Sequence, residues 1–188
     1  VDDNNTIPKA QKVAQAIAKQ SKILGIIGHY ASKMTLATVD IYGEKNLAEI
    51  SYGSTSTELT QNPRDNFFRV TYTNKEEAEA LVKYIEQTNY QDKNIVIFYN
   101  PNSDYSNHFR IAINEKLQQL KKPNIQVLKE FDLADEANFS TQLALQEAAK
   151  LEANIFLLLP DGLETNSLAK AIEILETDNG KNLMLGGN

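Results

Sequence analysis

Residues 23–35, ILGIIGHYASKMT, constrain the fold more than any other stretch of the chain. Aliphatic side chains interleaved with Gly25 and closed by Gly28 predict a short strand buried on both faces, and small polar residues follow at once. Leu36, Val39 and Tyr42 then recur at helical spacing, with Ser32 placed as the N-cap and Thr35 in the first turn. A strand that passes through a short polar loop into a helix offers unpaired backbone N–H groups to an anion. Taken alone, such a stretch is one ordinary strand-to-helix turn of an α/β domain. Repetition along the chain carries the inference further.

The order of hydrophobic patterns predicts a helix over 7–20, with Pro8 in its first turn and Val13, Ala14 and Ile17 inward, then the strand just described and a helix over 33–44. A strand over 47–51 runs into YGSTST, where Thr55 and Glu58 have the spacing of a capping box. A polar turn at 62–66 and a strand at 67–72 follow. Beyond them the pattern gives a helix over 75–88, a strand over 94–99, and the loop NPNSDYS, which opens a helix running to 120. Strands at 126–131, 154–159 and 182–185 alternate with helices at 139–151 and 164–176. Alternation at this spacing requires mostly parallel sheets with helices on both faces, because a crossover helix joins parallel neighbours. In such sheets ligands sit beyond the carboxyl ends of the strands. Here those ends carry GHYAS, YGSTST, NPNSDYS, PDG and GGN, all rich in hydroxyl, amide or small residues. A crossing at 71–74 divides the chain into a partial N-terminal lobe, 1–71, and a partial C-terminal lobe, 72–188, with a small polar ligand expected between them. The helix at 7–20 has no strand before it, so VDD reads as the end of a strand that begins outside this sequence.

Composition narrows the function. A chain of 188 residues with 41% apolar content can bury a real core. Its net charge of −6 argues against nucleic acid or an anionic membrane surface as partner, since both reward basic patches. The longest apolar run, 155–160, is too short to span a bilayer, and no stretch reads as a signal peptide. The absence of cysteine removes disulfides, thiolate zinc sites and a cysteine nucleophile, but leaves the compartment open. His29 and His108 are the only histidines, too few for a usual zinc site, so neither metal nor cofactor is expected. Ser32, Thr55 and Glu58 can each be explained as helix caps, Asp161 as a turn residue before Gly162, and 132–136 as a solvated acidic linker. The sequons at Asn4 and Asn138 are three-residue matches of little weight. A serine near His29 would suggest a hydrolase, yet the sequence names no third, orienting partner.

The blocks GHYASKMTLATVDIY, EISYGSTSTELT, FFRVTYT and NIVIFYNPNSDYS, in that order and at these gaps, resemble the type I periplasmic binding fold, specifically the branched-chain-amino-acid-binding proteins. The resemblance runs from VDDNNTIPKAQKVAQ to LMLGGN. It implies a two-lobed α/β protein that closes on a small solute and hands it to an ABC permease, or senses it as part of a receptor or fused kinase. It also implies that the first strand and helix of lobe one, and everything after the last strand here, are absent, so the chain is a fragment. By resemblance, Ser32 bonds a ligand carboxylate beside the helix N-terminus. Gly53 and Thr55, with Ser54 between them, hold the amino and carboxylate groups through a backbone carbonyl and a hydroxyl. Tyr105 reaches in from lobe two, and the Pro160–Asp161 loop adds a contact. Asn188 stands where the family usually has a carboxylate facing the ligand ammonium, which favours a carboxylate, amide or polar neutral solute over an amino acid.

The sequence thus reads as a non-enzymatic, extracytoplasmic ligand-binding domain, periplasmic or extracellular. Its ligand is a small amino acid or a related carboxylate or amide, bound with no cofactor. Two alternatives stand beside it: a small α/β hydrolase using the same strand-end loops, and the effector-sensing domain of a regulator or sensor kinase.

Overall fold

A computed structural model describes residues 1–61, 64–162 and 165–187. The chain forms two compact units, Val1–Asn74 and Lys75–Asn188.

In the first unit, helix α1 (Ile7–Ala18) precedes strand β1 (Gly25–Ile27), helix α2 (Ser32–Gly43), strand β2 (Ala48–Ser51), the short helix α3 (Glu58–Gln61) and strand β3 (Phe67–Arg69). The strands form one parallel sheet in the order β1-β2-β3. Register places Ile26, Glu49 and Phe67 in one row and Ile27, Ile50 and Phe68 in the next, so the two rows face opposite sides. The first side is buried: Val39, Leu59 and Phe67 pack together, and Ala14, Tyr42 and Leu47 form a second cluster with Ile26 against it. The second side is open, and the expectation of a doubly buried first strand is corrected there. Ile27 is 82%, Phe68 54% and Ile50 39% exposed, and among the described residues β1 pairs with β2 alone.

The second unit realises the expected layering in full. Helix α4 (Asn74–Gln87), whose first residue closes the first unit, leads to strand β4 (Lys93–Tyr99), helix α5 (Asp104–Leu120) and strand β5 (Ile125–Asp132). Helix α6 (Thr141–Lys150), strand β6 (Ile155–Leu159), helix α7 (Thr165–Asp178) and strand β7 (Leu183–Gly186) complete it. The parallel sheet has the order β5-β4-β6-β7. Alternate residues of β4 feed two cores. Ile95 and Ile97 pack with Ala78, Val82 and Ile85 of α4 and with Phe109 and Ile113 of α5. Val96 and Phe98 pack with Ala144 and Ala148 of α6 and with Ala171 and Ile174 of α7. Buried on both faces, β6 is the uninterrupted apolar run IFLLL. Phe98 stacks on Phe131 and leans on Phe156, with ring centroids 4.9 and 5.7 Å apart.

Element bounds follow the sequence pattern to within about two residues, except that the strand expected over 67–72 ends at Arg69. The helix expected over 139–151 begins at Thr141, because Ser140 caps it by accepting the Leu143 N–H. Ser103 does the same for α5, so Tyr105 lies in a first helical turn and not in a loop. The turn expected at 62–66 and the helix start expected at 164 fall partly outside the described residues. No helix of the described residues is long and apolar enough to cross a membrane.

Truncating Phe156 to alanine removes a ring held on both sides by the second core, and it should cost the second unit about 3–5 kcal/mol. Urea unfolding followed by circular dichroism measures this, and a loss below about 1 kcal/mol would contradict the packing described.

Candidate functional site: the strand-end loops

In the first unit the chain leaves β1 through Gly28, whose φ of +141° is open to glycine and strained for any residue with a Cβ. The next carbonyl, that of His29, lies within hydrogen-bond distance of three hydroxyls: Ser51 Oγ at 2.8 Å, Thr35 Oγ1 at 3.2 Å and Ser54 Oγ at 3.3 Å. Ser54 Oγ also lies 2.7 Å from Thr35 Oγ1 and 3.1 Å from the Tyr30 carbonyl, while the Ser54 N–H donates to Ser51 Oγ. Ser54 is fully buried and ties the loop after β1 to the loop after β2. The two loops move as one.

Ser32 does not cap α2 as expected. Ala31 holds the cap position, its carbonyl accepting from the Met34 and Thr35 N–H groups, and Ser32 is the first helical residue. Its hydroxyl instead accepts the Ser56 N–H at 3.2 Å, a second tie between the loops. The Thr55–Glu58 capping box is absent as well, since the Glu58 N–H goes to Ser56 Oγ at 3.3 Å. That leaves Thr55 in an unusual state. It is 1% exposed, its carbonyl accepts the Asn74 N–H at 2.8 Å, and its Oγ1 has no partner among the described residues. A buried hydroxyl left unsatisfied costs about 1–3 kcal/mol unless something outside the protein completes it. Arg69, on β3, holds this part of the loop in place. Its guanidinium donates to the Ser54 carbonyl at 3.2 Å, to the Ser56 carbonyl at 2.9 Å and to Thr60 Oγ1 at 2.5 Å, bracketing Thr55. Gly53 is required by close approach: a Cβ there would stand 2.5 Å from the Tyr30 ring.

Behind these loops lies a buried polar chain that sequence reasoning did not assemble. His29 Nδ1 meets Asp3 Oδ2 at 2.6 Å, and Nε2 meets the Tyr42 hydroxyl at 3.2 Å. An ionised carboxylate only accepts, so Nδ1 carries the proton and, in the neutral ring, Nε2 accepts from Tyr42. Burial would raise the Asp3 carboxyl, but the hydrogen bonds from His29 and the Asn5 N–H, together with the attraction of the ring, hold it below its ordinary value. Burial, reinforced by the negative charge of Glu49 and Asp3, pushes the Tyr42 phenol up to about 12. Asp3 therefore is the orienting partner of His29 that the sequence left unnamed. Yet both ring nitrogens are engaged, and Ser51 and Ser54 meet the His29 carbonyl instead of its ring, so no nucleophile is activated here.

Glu49 is the second buried group. It is fully enclosed on β2, and neither carboxyl oxygen has a hydrogen-bond partner among the described residues. Burial pushes its pKa up to about 8; the His29 backbone N–H and Arg64 pull the other way without completing a hydrogen bond, and Asp40 adds to the rise.

In the second unit, the ends of β4, β6 and β7 come together. Ser106 Oγ accepts the Asn100 N–H at 2.8 Å and donates to the Leu159 carbonyl at 2.5 Å, joining the loops after β4 and β6. Tyr105 packs on Phe109 with centroids 5.9 Å apart, and a Cβ at Gly187 would lie 2.1 Å from the Tyr105 hydroxyl, so the end of β7 reaches the same place. Asp161 follows β6, its N–H donating to Ser167 Oγ at 3.1 Å. Of the expected site residues, Ser32, Gly53, Ser54 and Thr55 lie on the two linked loops of the first unit, and Tyr105 and Asp161 belong to the second unit. Asn188 lies outside the described residues. Tyr30, Tyr52 and Arg69 were missed. Arg69 could have been flagged as a lone cation inside the strand FFRVTYT, where a charge must find partners.

Comparison with known proteins places this geometry. Three of the solved structures it matches are a substrate-binding protein, a branched-chain amino acid transporter component and a solute-binding protein. An ABC transporter substrate-binding protein from Desulfitobacterium hafniense, in complex with Leu, matches at TM-score 0.79 and 21% identity over 100% of this chain and 53% of its own. The branched-chain amino acid transporter substrate binding protein LivJ from Streptococcus pneumoniae, in complex with isoleucine, matches at TM-score 0.79 and 20% identity over 100% of this chain and 50% of its own. A solute binding protein of an R. palustris ABC transporter, in complex with benzoate, matches at 0.76 and 20% over 99% and 49%. Among curated proteins, an amino acid binding protein of Pseudomonas aeruginosa is 26% identical over 84 residues, which is 45% of this chain and 22% of that protein. The chain thus spans about half the length of the solved structures and less of the curated relative. The fold is that of the type I periplasmic binding proteins. Residues 1–178 match the receptor family ligand binding region, and the chain belongs to that family.

The raised pKa of Glu49 has a sign that can be checked. Between its ordinary 4.5 and about 8 the folded protein holds a proton that the unfolded chain has lost, so stability falls as pH rises through that window. The total loss is on the order of a few kcal/mol. Thermal unfolding from pH 4.5 to 8.5 should show this slope in the native chain and a flatter one in Glu49→Gln; equal slopes would contradict it.

Proposed function

We propose that this chain is the ligand-binding region of an extracytoplasmic solute-binding protein, and that it binds a small carboxylate, amide or amino acid without transforming it. The observation that carries the reading is the Thr55 hydroxyl, buried and unpartnered at the end of a loop whose flanking carbonyls Arg69 clamps. The hydroxyl can donate to a carboxylate oxygen, and the N-terminus of α2 beside Ser32 adds its partial positive charge. The two units are the two lobes of the reading. In the first unit the reading places the ligand at the 28–32 and 52–57 loops. The partner is an ABC permease, in a periplasmic or extracellular setting, and neither metal nor cofactor enters. Family membership, an amino acid binding relative and the fold shared with solute-binding proteins support this reading.

Isothermal titration of the chain with leucine, isoleucine and their deaminated counterparts tests it. Thr55→Val should weaken the best ligand about tenfold, the loss of one charge-assisted hydrogen bond. Ser32→Ala should weaken it less, because Ser32 acts through Ser56. Unchanged affinity in Thr55→Val would sink the reading.

A further inference from the structure

Beyond β3 the chain returns to hold the backbone around Thr55. Three successive carbonyls, those of Ser54, Thr55 and Ser56, accept hydrogen bonds from residues 69–74. Arg69 Nη1 donates to the first at 3.2 Å and to the third at 2.9 Å, and the Asn74 N–H donates to the second at 2.8 Å. On the other side, the Ser54 N–H goes to Ser51 Oγ at 3.0 Å and the Ser56 N–H to Ser32 Oγ at 3.2 Å. Between these ties the Thr55 side chain is buried, and its hydroxyl has no partner among the described residues. A cation beside a site for an anion is ordinarily its counter-ion. Here the bonds of the guanidinium run elsewhere: Nη1 serves two carbonyls, and Nη2 donates to Thr60 Oγ1 at 2.5 Å, which fixes the plane of the fork.

We propose that Arg69 is a positioning residue for ligand binding: it does not meet the ligand but sets the direction in which the Thr55 hydroxyl donates. The inference rests on the solute-binding reading and goes beyond it by assigning affinity to a side chain that acts only through its neighbour. A hydrogen bond weakens steeply as its angle departs from linear. A donor already held in its bound orientation also spares the ligand the entropy of ordering it. Lysine at this position keeps the charge but replaces the planar fork with a single donor atom. Charge and geometry are therefore separable here.

The test titrates the full chain with leucine and with 4-methylpentanoate by calorimetry, in the native sequence, in Arg69→Lys, Thr60→Val and Thr55→Val, and in the two double variants that include Thr55→Val. Arg69→Lys should weaken the tighter probe about fivefold, and Thr60→Val, which removes one anchor of the fork, about twofold. Neither should weaken it further once Thr55 is valine, so each double variant should match Thr55→Val within about twofold. A general loosening of the loop would weaken binding in both backgrounds. Thr60 is exposed, so its variant keeps the test decisive if Arg69→Lys does not fold. Native affinity in both Arg69→Lys and Thr60→Val, or a loss that persists undiminished beside Thr55→Val, overturns the inference and leaves the solute-binding reading standing. Failure of the native chain to bind either probe, or unchanged affinity in Thr55→Val, overturns both.

Discussion

The carbonyl of His29 is the point that ties the first unit's two strand-end loops together. Three hydroxyls from α2, β2 and the following loop converge on it. Thr35 and Ser54 lie 2.7 Å apart with one proton each, so when one donates to the other the remaining hydroxyls serve the carbonyl's two lone pairs, and the network bridges the two loops. Everything nearby follows from that tie. Ser32 meets Ser56, Gly53 lies against Tyr30, and the buried Thr55 hydroxyl has no partner among the described residues. Removing one member of a buried, shared network strands the others, so Ser51 and Ser54 are structural in the strict sense that they hold the site without forming its surface.

This division of labour explains what the sequence showed and what it hid. The strand-to-helix alternation was legible because burial on both faces leaves unmistakable runs such as IFLLL, and helical spacing places Ala78, Val82 and Ile85 on one side of α4. The loops were legible as a concentration of hydroxyls at strand ends. What could not be read was which hydroxyl bonds to what. Ser32 and Thr55 have the composition and spacing of caps, yet the Ser32 hydroxyl takes a partner 24 residues away and the Thr55 hydroxyl has none among the described residues. The exposure of Leu24 and Ile27 was equally invisible, since periodicity reports how apolar a strand is and not whether a layer covers it.

The polar chain Asp3–His29–Tyr42 shows the same limit from another side. Asp3 lies 26 residues before His29, in a segment that read as the end of a strand. Its meeting with the ring pins the start of the chain to the loop that opens the site. A triad-like spacing of acid, imidazole and hydroxyl is present, but the hydroxyl is the buried Tyr42, whose raised pKa makes it a hydrogen-bond donor and not a nucleophile. The geometry that resembles catalysis is a brace.

The central claim is that the 28–32 and 52–57 loops together form a binding surface. At 21.1 kDa the chain is suited to residue-by-residue nuclear magnetic resonance. Backbone amide shifts followed during titration with a small carboxylate should move together at Tyr30, Ser32, Gly53 and Thr55 while the β4 and β6 core stays still. Shifts confined to other residues, with those four unmoved at saturation, would contradict the account.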